Sequence, residues 1–462
     1  MIDLSAIKHI HIVGIGGVSN SAIAEILLTQ GFTVSGSDLH KSEITEALVL
    51  KGVQIYYEHA EENLKDSDLV VYTSAVSDDN PEVKAAHNHN ISCVSRAEML
   101  GHIMAGYKNS IAISGTHGKT TTTSMITRIF NDNTFDPTAL VGGYFSDIKS
   151  NVRLGKSDLF ITEACEYKEN FLSFFPKVGV ILNIDEDHLD FYRNLDHIIS
   201  AFVKFSSNIL EKGTLVLNGD DYNSRKIIPY YTGKVITFGL SDHCDYIAKN
   251  VVYNNLGYPS FDILHKDKKI CNLSLIVPGQ HNIYNALAAF IVGTLYIKDA
   301  ELIKTRLSTF KNANRRFEWI GKAQDITIID DYAHHPNEIK ATLDAAARMT
   351  DINRILCIFQ PHTYSRTKEL LNEFASAFKS ASEVILCDIY AAREVDTGEV
   401  SSVDLMKAML KEHVKVKHFD NFEAINNYIL QNALPNDLVM TMGAGDVYKL
   451  SRTILESLSR NK

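Results

Sequence analysis

The sequence predicts an α/β protein of three domains, each with a mainly parallel sheet, and three observations support this fold class. Short apolar runs alternate with amphipathic stretches through most of the chain, as in strand–helix units of parallel sheets. Three strand-like runs lead into loops that begin new units: HIHIVGIGG, SIAISGTHGKT and ITIIDDYAHHP. The 462 residues correspond to about three domains of roughly 150 residues. We therefore predict domains at 1–106, 107–318 and 319–462.

The composition excludes several classes of protein. The chain is 45% hydrophobic and 22% charged, which is typical of folded globular chains and argues against extended disorder. Its most apolar helical stretch, 286–297, is much shorter than the roughly 20 residues that a membrane span needs. The N-terminus carries Asp3 and Lys8 and does not read as a signal peptide. We expect a cytoplasmic protein with no stable membrane insertion.

Charge and cysteine spacing limit the partners. The net charge of −10 argues against a broad nucleic-acid-binding surface. Anionic small molecules are still compatible with it, because single lysines and helix N-termini bind phosphate on acidic proteins. The six cysteines show no spacing typical of metal sites or disulfide frameworks, so we expect free thiols in a reducing compartment.

The first glycine loop follows a predicted strand at Ile10–Val13 and precedes a predicted helix at Ser21–Gln30. Gly14, Gly16 and Gly17 permit a tight turn that brings backbone N–H groups close to a diphosphate at the helix N-terminus. The next strand ends at Ser37 and Asp38, where a ribose-binding acid is expected. Ser19 replaces the third glycine of the dinucleotide fingerprint. The motif predicts a Rossmann-like domain for a nucleotide diphosphate, and a purely structural turn is the alternative interpretation.

The second glycine loop is close to a P-loop. It runs between a predicted strand at Ile111–Ser114 and a predicted helix at Thr120–Phe130. Its backbone N–H groups would cradle phosphates, Lys119 would reach the β- and γ-phosphate oxygens, and a threonine hydroxyl would bind magnesium. Ile113 stands where the strict motif has its first glycine. We expect a P-loop ATPase-like domain that binds ATP, through Gly115, Thr116, His117, Gly118, Lys119, Thr120 and Thr121.

Acidic residues follow two further strands. DLFITEACE supplies Glu163 and Glu166, and VGVILNIDEDHLD supplies Asp185, Asp187, His188 and Asp190. Because parallel strands end at a common edge, these groups are predicted to lie beside the P-loop and to hold Mg²⁺. Taken alone, such acids are more often solvated loop residues.

Together these segments resemble the Mur ligases of bacterial peptidoglycan synthesis. The resemblance covers nearly the whole chain and is carried, in order, by GTHGKTTTT, TEACE, NIDEDHLDFY, GQHNIYNALAA, RRFEWIG, DDYAHHP and MGAGDVY. It implies a third, Rossmann-like domain that closes over the other two. It also implies ligation of L-alanine to the lactyl carboxylate of UDP-N-acetylmuramate, with ATP as co-substrate, Mg²⁺ as cofactor and an acyl phosphate as intermediate. A monomer or homodimer is expected.

The resemblance also assigns roles to residues. UDP-sugar contacts would come from Gly14, Gly16, Gly17, Ser37 and Asp38, and magnesium ligands from Thr120, Glu163 and His188. Lys119 and Arg316 would stabilise transferred phosphate, and His335 would face the nucleotide and substrate. Since the alanine ammonium must lose a proton before it attacks, His335 is also a candidate for accepting that proton. Asn282 and Asn285, beside His281, would lie near adenine and the reacting centre, and Asp330 and Asp331 near the nucleotide ribose.

Some positions depart from the family pattern. Ser19, Asn20 and Ala22 replace glycines and a methionine, Thr363 stands where arginine is usual, and Arg393 stands at a position that is often glycine. Three other functions are alternatives: a ligase that joins UDP-N-acetylmuramate to a recycled tripeptide, a dinucleotide-dependent oxidoreductase, and a non-catalytic nucleotide-binding regulator. The second nucleotide loop, and Lys119, Glu163, His188 and Arg316, argue against the last two.

Overall fold

The structure, a computed structural model, describes residues 3–73, 76–77, 79–392 and 394–460. Arg393 therefore lies outside the described residues. The chain divides into two compact units. The first contains Met1–Ile184 and Ile198–Thr237, and the second contains Asp185–His197 and Phe238–Lys462.

The first unit begins with a five-stranded parallel sheet of order β3-β2-β1-β4-β5. Val13, Val70, Ala85 and Ala86 form part of a core between this sheet and its helices. The elements are β1 (His9–Val13), α1 (Val18–Thr29), β2 (Thr33–Ser37), α2 (Glu43–Leu50), β3 (Gln54–Tyr56), β4 (Leu69–Tyr72), α3 (Pro81–Asn88), β5 (Ser92–Ser95) and α4 (Arg96–Ala105).

A second parallel sheet of the first unit has the order β11-β10-β6-β9-β7, with β8 added antiparallel at its edge. Its central strands are buried along almost their whole length, as expected of parallel strands covered on both faces. The elements from 109 to 239 are β6 (Asn109–Ser114), α5 (Lys119–Phe130), β7 (Thr138–Phe145), β8 (Ser150–Arg153), β9 (Leu159–Glu163), β10 (Val178–Ile181), α6 (Leu195–Ser207), β11 (Thr214–Asn218), α7 (Tyr222–Arg225) and β12 (Lys234–Gly239).

The second unit contains an antiparallel ribbon, two helices and a six-stranded sheet of order β16-β17-β21-β18-β19-β20, parallel except for β16. The elements are β13 (Tyr246–Tyr253), β14 (Pro259–His265), β15 (Lys268–Ser274), α8 (Gln280–Thr294), α9 (Ala300–Ser308), β16 (Glu318–Ala323), β17 (Ile326–Asp331), α10 (Pro336–Ala346), β18 (Arg354–Phe359), α11 (Tyr364–Glu369), α12 (Leu371–Ala377), β19 (Glu383–Leu386), α13 (Ser402–Lys411), β20 (Val416–His418), α14 (Phe422–Asn432), β21 (Asp437–Met442) and α15 (Tyr448–Arg460).

The six-stranded sheet has an apolar core on each face. Alternate residues of β17 and β18 enter opposite cores: Ile329 and Cys357 pack on one face, and Ile328 and Ile358 on the other. Since successive side chains of a strand point to opposite faces, a strand covered on both sides must be apolar throughout. This explains why ILCIF (355–359) and VILC (384–387) are continuous apolar runs.

The predicted α/β class with mainly parallel sheets is confirmed. The strands predicted at Ile10–Val13 and Ile111–Ser114 lie within β1 and β6, and α1 begins at Val18, earlier than the predicted Ser21, because Gly17 already serves as its N-cap. The domain boundaries at 106 and 318 stay a prediction. None of the helices in the described ranges has both the length and the apolar character needed to cross a bilayer.

One close contact in the first unit depends on a glycine. A Cβ atom at Gly101 of α4 would overlap the carbonyl oxygen of Ser173. We expect Gly101→Ala to lower the free energy of unfolding by about 1–3 kcal/mol, because backbone would have to move. Gly143→Ala is the control, since its Cβ would meet nothing within 4 Å. Urea denaturation of both variants checks the prediction, and equal stability of the two would contradict it.

Candidate functional site

The P-loop is placed by three neighbouring parallel strands. β6 pairs with β9 on one side and with β10 on the other, so the loops after all three strands meet at one edge of the sheet. α5 begins at Lys119, directly after Gly118, whose φ of 85° is in the left-handed region that favours glycine. The first N–H groups of α5 therefore face this edge, where an anion is favoured.

Lys119 is the central cation of this loop. Its Nζ donates to the carbonyl oxygens of Gly115 (2.6 Å) and Thr116 (3.0 Å) and lies 2.9 Å from Glu166 Oε2. Burial alone would lower the pKa of Lys119, but the carboxylate of Glu166 raises it above the ordinary lysine value. The side chain is therefore held as an ammonium ion in a largely buried position.

Asn183, just after β10, holds the P-loop in place and was missed in the sequence. Its Oδ1 accepts from the N–H of His117 (2.8 Å), and its Nδ2 donates to the carbonyl of His117 (3.0 Å). The backbone carbonyl of Asn183 also accepts from the N–H of Thr116 (3.1 Å). The sequence signal that could have identified Asn183 is a polar residue directly after a strand that neighbours the P-loop strand.

Two of the three predicted metal ligands lie together in the first unit. The Thr120 hydroxyl donates to Glu163 Oε2 (3.2 Å), and Glu163 Oε1 accepts from the N–H of Gly142 (2.5 Å). A hydroxyl and a carboxylate are the hard oxygen donors that Mg²⁺ prefers. These two residues therefore fit a magnesium ion. Thr121, the next residue of α5, is buried.

The first glycine turn uses most of its own N–H groups internally. Gly14 and Ile15 donate to the carbonyl of Ser37 (2.8 and 3.0 Å), and Gly16 donates to Asp38 Oδ2 (2.9 Å). Gly17 donates to the carbonyl of Gly14 (3.2 Å). At the start of α1 a different set of donors is available: within the described residues no hydrogen bond uses the N–H groups of Val18, Ser19 and Asn20.

Three of the residues that depart from the family pattern, Ser19, Asn20 and Ala22, lie in the helix that follows this turn. Asn20 is buried, and its Nδ2 donates to the carbonyls of Gly14 (2.9 Å) and Val13 (3.2 Å). Ala22 is also buried, whereas Ser19 is partly exposed in the first turn of the helix. The asparagine thus braces the turn from inside the domain.

The DEDH segment belongs to the second unit, where Arg366 contacts it. Arg366 Nη2 lies 3.0 Å from Asp187 Oδ1, and both side chains are mostly buried. Burial would raise the pKa of Asp187, but the electrostatic effects of His188 and Arg366 hold it well below its usual range. His188 has a φ of 56°, and its Nε2 lies 3.8 Å from Asp187 Oδ2. Asp185 accepts from Asn337 Nδ2.

His335 forms the N-cap of α10 and is buried. Its Nδ1 accepts from the N–H of Asn337 (3.3 Å), and its Nε2 lies 2.9 Å from the carbonyl oxygen of Glu186. Both ring nitrogens therefore contact neighbouring groups, which favours the neutral tautomer protonated at Nε2.

The two adjacent arginines have different environments. The Arg315 guanidinium lies 3.1 Å from Asp330 Oδ2 and donates to the carbonyls of Gly443 (2.6 Å) and Gly445 (3.2 Å). The Arg316 guanidinium makes no hydrogen bond or ion pair with the described residues and lies 5.1 Å from the ring centre of Tyr332. Arg315 is thus built into the fold, whereas the guanidinium donors of Arg316 are not used by the described residues.

The paired aspartates Asp330 and Asp331 end β17 and are buried in the second unit. Asp330 Oδ1 accepts from the Thr441 hydroxyl (2.6 Å), and Asp331 accepts from the N–H groups of Ala333 and Phe317 (2.7 Å each). Burial raises the pKa of Asp331 to about 6, and it also raises that of Asp330. These carboxylates fix the backbone around the arginines.

The segment GQHNIYN begins α8. Asn282 and Asn285 are buried one turn apart: Asn282 Nδ2 donates to the carbonyl of Pro278 (2.7 Å), and Asn285 Nδ2 donates to Asn282 Oδ1 (3.0 Å). His281, between Gln280 and Asn282, is exposed.

Family comparisons match successive parts of the chain. Residues 9–108 match the model described as Mur ligase family, catalytic domain, and residues 113–293 match the Mur ligase middle domain. Residues 315–445 match the model described as Mur ligase, glutamate ligase domain.

Named relatives are similar over nearly the whole length. The chain is 50% identical over 444 residues to a protein of Clostridium botulinum named UDP-N-acetylmuramate–L-alanine ligase, covering 96% of each chain. It is 49% identical to a protein of the same name from Clostridium tetani, covering 98% of this chain and 99% of the relative. The crystal structure of UDP-N-acetylmuramate–alanine ligase from Thermotoga maritima matches with a TM-score of 0.82 and 29% identity, over 99% and 100% of the two chains. A murein peptide ligase from Psychrobacter arcticus, at 23% identity and a TM-score of 0.71, shares the fold, over 98% and 99% of the two chains.

The arginine pair provides a test of these environments. Arg315→Ala leaves the buried Asp330 carboxylate without its cation, so we expect the free energy of unfolding to fall by about 3 kcal/mol. Arg316→Ala removes a ring contact and a Coulombic attraction to Asp331 but no hydrogen bond or ion pair, so we expect a smaller loss, of less than about 1 kcal/mol. Urea denaturation of the two variants measures the difference. A larger loss in Arg316→Ala than in Arg315→Ala would contradict the assignment.

Proposed function

The chain belongs to the Mur ligase family, and we propose that it joins L-alanine to the lactyl carboxylate of UDP-N-acetylmuramate, with conversion of ATP to ADP and phosphate. The observation that carries the proposal is the P-loop. It holds the Lys119 ammonium beside Glu166 and places the Thr120 hydroxyl against the Glu163 carboxylate. The identity of the amine and of the acid comes from the names of relatives at 50% identity.

ATP is needed because a carboxylate does not react with an amine at neutral pH. Transfer of the γ-phosphoryl group to a carboxylate oxygen forms an acyl phosphate and releases ADP. The neutral amine of L-alanine then attacks the carbonyl carbon, and the tetrahedral intermediate expels phosphate and leaves the amide. The step therefore requires several anions to be held close together, which is chiefly a matter of positioning and electrostatics.

Two cations of this chain suit that task. Lys119 would move from the loop carbonyls to the β- and γ-phosphates, since its contacts with Gly115 and Thr116 are to neutral oxygens. Arg316 would bind the transferred phosphate, because its guanidinium donors are not used by the described residues. The N–H groups of Gly118, Lys119 and the start of α5 would complete the phosphate cradle.

We propose Mg²⁺ as the cofactor. Thr120 and Glu163 supply oxygen ligands in the first unit, and His188 stays in the proposed set because the family resemblance assigns it there. When bound, the ion neutralises charge on the ATP phosphates. Glu163 would keep its N–H contact with Gly142, which orients the carboxylate.

The remaining assignments are part of the same proposal. The UDP diphosphate and uridine would bind at the start of α1, with contacts from Gly14, Gly16, Gly17, Ser37 and Asp38. Asn282, Asn285, Asp330 and Asp331 would line the nucleotide. His335 would move a proton only if its contact with Glu186 or Asn337 opens, because both ring nitrogens are engaged.

We propose a cytoplasmic enzyme, since both nucleotide substrates are found in the cytoplasm. That the protein is a monomer or a homodimer stays a prediction.

The substrate assignment is tested by phosphate release from ATP. We expect release to require both UDP-N-acetylmuramate and L-alanine, with glycine and L-serine as poorer amines, because a pocket for one methyl group discriminates only modestly. Omission of each component is the control. Turnover with the recycled tripeptide but not with L-alanine would assign the chain to the alternative ligase.

The P-loop assignment is tested at Lys119. We expect Lys119→Met to lower kcat by at least about a thousandfold, because the phosphoryl group loses a positioned cation. UDP-sugar affinity, measured by calorimetry, should change by less than about threefold. Because the single change would leave the buried Glu166 carboxylate without the Lys119 ammonium, it could also destabilise the fold. The double variant Lys119→Met/Glu166→Gln therefore separates the effect on phosphoryl transfer from the effect on stability. Lys108→Ala, an exposed lysine, is the control. Retained turnover in the double variant would contradict the role.

A further inference from the structure

Glu82, the second residue of α3, is a fully buried carboxylate in the first domain. Four groups from other parts of the chain surround it. Oε2 accepts from the Ser37 hydroxyl (2.6 Å) and from His59 Nδ1 (2.9 Å). Oε1 accepts from Asn63 Nδ2 (2.7 Å) and lies 3.4 Å from His11 Nε2. The carboxylate therefore joins β1, the end of β2 and the segment at 58–64 to the start of α3.

The network keeps Glu82 ionised in the interior. Burial would raise the pKa of this carboxyl, but the charge of the nearby His11 ring (3.4 Å) and the hydrogen bonds from Ser37 and Asn63 lower it to about 2. The start of α3 adds a favourable helix dipole, and Asn80 caps the helix through the Glu82 N–H (2.9 Å). A buried charge with this many donors contributes more to a defined geometry than to net stability, because its desolvation offsets its attractions.

Ser37 connects this network to the first glycine turn. Its hydroxyl donates to Glu82, and its backbone carbonyl accepts from both Gly14 and Ile15. The next residue, Asp38, accepts from the N–H of Gly16. One residue thus links a buried anion to the turn from which α1 begins.

We propose that Glu82 is a positioning residue for the UDP-sugar, which acts through Ser37 to hold the glycine turn and the start of α1 in the geometry that receives a nucleoside diphosphate. The inference rests on the proposed function, since it names a further residue for the same substrate. Glu82 is buried and does not contact the ligand itself.

The variant Glu82→Gln keeps the shape of the side chain but not its hydrogen bonding. A carboxylate accepts at both oxygens, whereas the amide presents an NH₂ group to neighbours that are themselves donors. Ser37 would lose its acceptor or share one oxygen. The turn should then sample other arrangements, so that affinity for the UDP-sugar falls while the phosphate-transfer steps are untouched once it is bound.

The experiment measures UDP-N-acetylmuramate binding by calorimetry and steady-state kinetics on the full chain. We expect Glu82→Gln to weaken affinity by about tenfold or more and raise KM for the UDP-sugar in parallel, with kcat and the KM for ATP within about twofold. Glu98→Gln is the matched control. Glu98 is an exposed glutamate in the first turn of α4, which accepts from Ser95 N–H (2.7 Å).

A double-mutant cycle with Ser37 tests whether Glu82 acts on the glycine turn through that residue. Ser37→Ala alone should weaken UDP-sugar affinity by about threefold or more, and the double variant should bind no more weakly than Glu82→Gln, because both changes break one link. Wild-type affinity in Ser37→Ala would overturn the proposal even if Glu82→Gln did not fold. Additive losses, or an equal fall in kcat, would also overturn it. Failure of the wild type to bind UDP-N-acetylmuramate would instead refute the proposed function.

Discussion

A buried lysine that stays charged is the interaction on which the nucleotide-binding edge depends. Lys119 sits in a largely buried position, where an unpaired ammonium would lose its proton or move out to solvent. Glu166 prevents this with a contact of 2.9 Å, and two loop carbonyls complete the coordination. The loop is therefore shaped around a cation before any phosphate arrives. When phosphate binds, it exchanges neutral oxygens for anionic ones at the same ammonium, so little of the protein has to reorganise.

Buried groups of opposite charge are also paired in the second unit. Asp330 and Asp187 are buried carboxylates, and each has its own arginine, Arg315 and Arg366. Because those two guanidinium groups are used internally, Arg316 is the one of the adjacent pair whose donors face no protein acceptor among the described residues. A chain with a net charge of −10 can thus bind anions, since a few of its cations do not take part in internal ion pairs. Anion binding therefore depends on which cations lack an internal partner and not on the net charge.

The fold and several site residues were predictable because they follow local rules. Apolar runs such as SIAIS and RILCIF indicate strands covered on both faces, and Gly118 and Lys119 follow a strand and open a helix, as a phosphate loop requires. Thr120 and Glu163 were predictable as neighbours because parallel strands end at one edge. The beginning of α1 at Val18 differed from the predicted Ser21, since a glycine N-cap gives no side-chain signal.

The sequence by itself determined the α/β class, the order of the loops and the family, because strand patterning and contiguous motifs are local properties of the chain. Only the tertiary structure decided which polar groups pair. Neither spacing nor composition distinguishes Arg315 from Arg316, and nothing near Glu82 in the sequence indicates that Ser37, His59 and Asn63 converge on it. Such contacts join residues that are far apart in sequence, and they exist only once the strands are in register. Burial then makes each unsatisfied charge costly, which is why these particular partners are brought together.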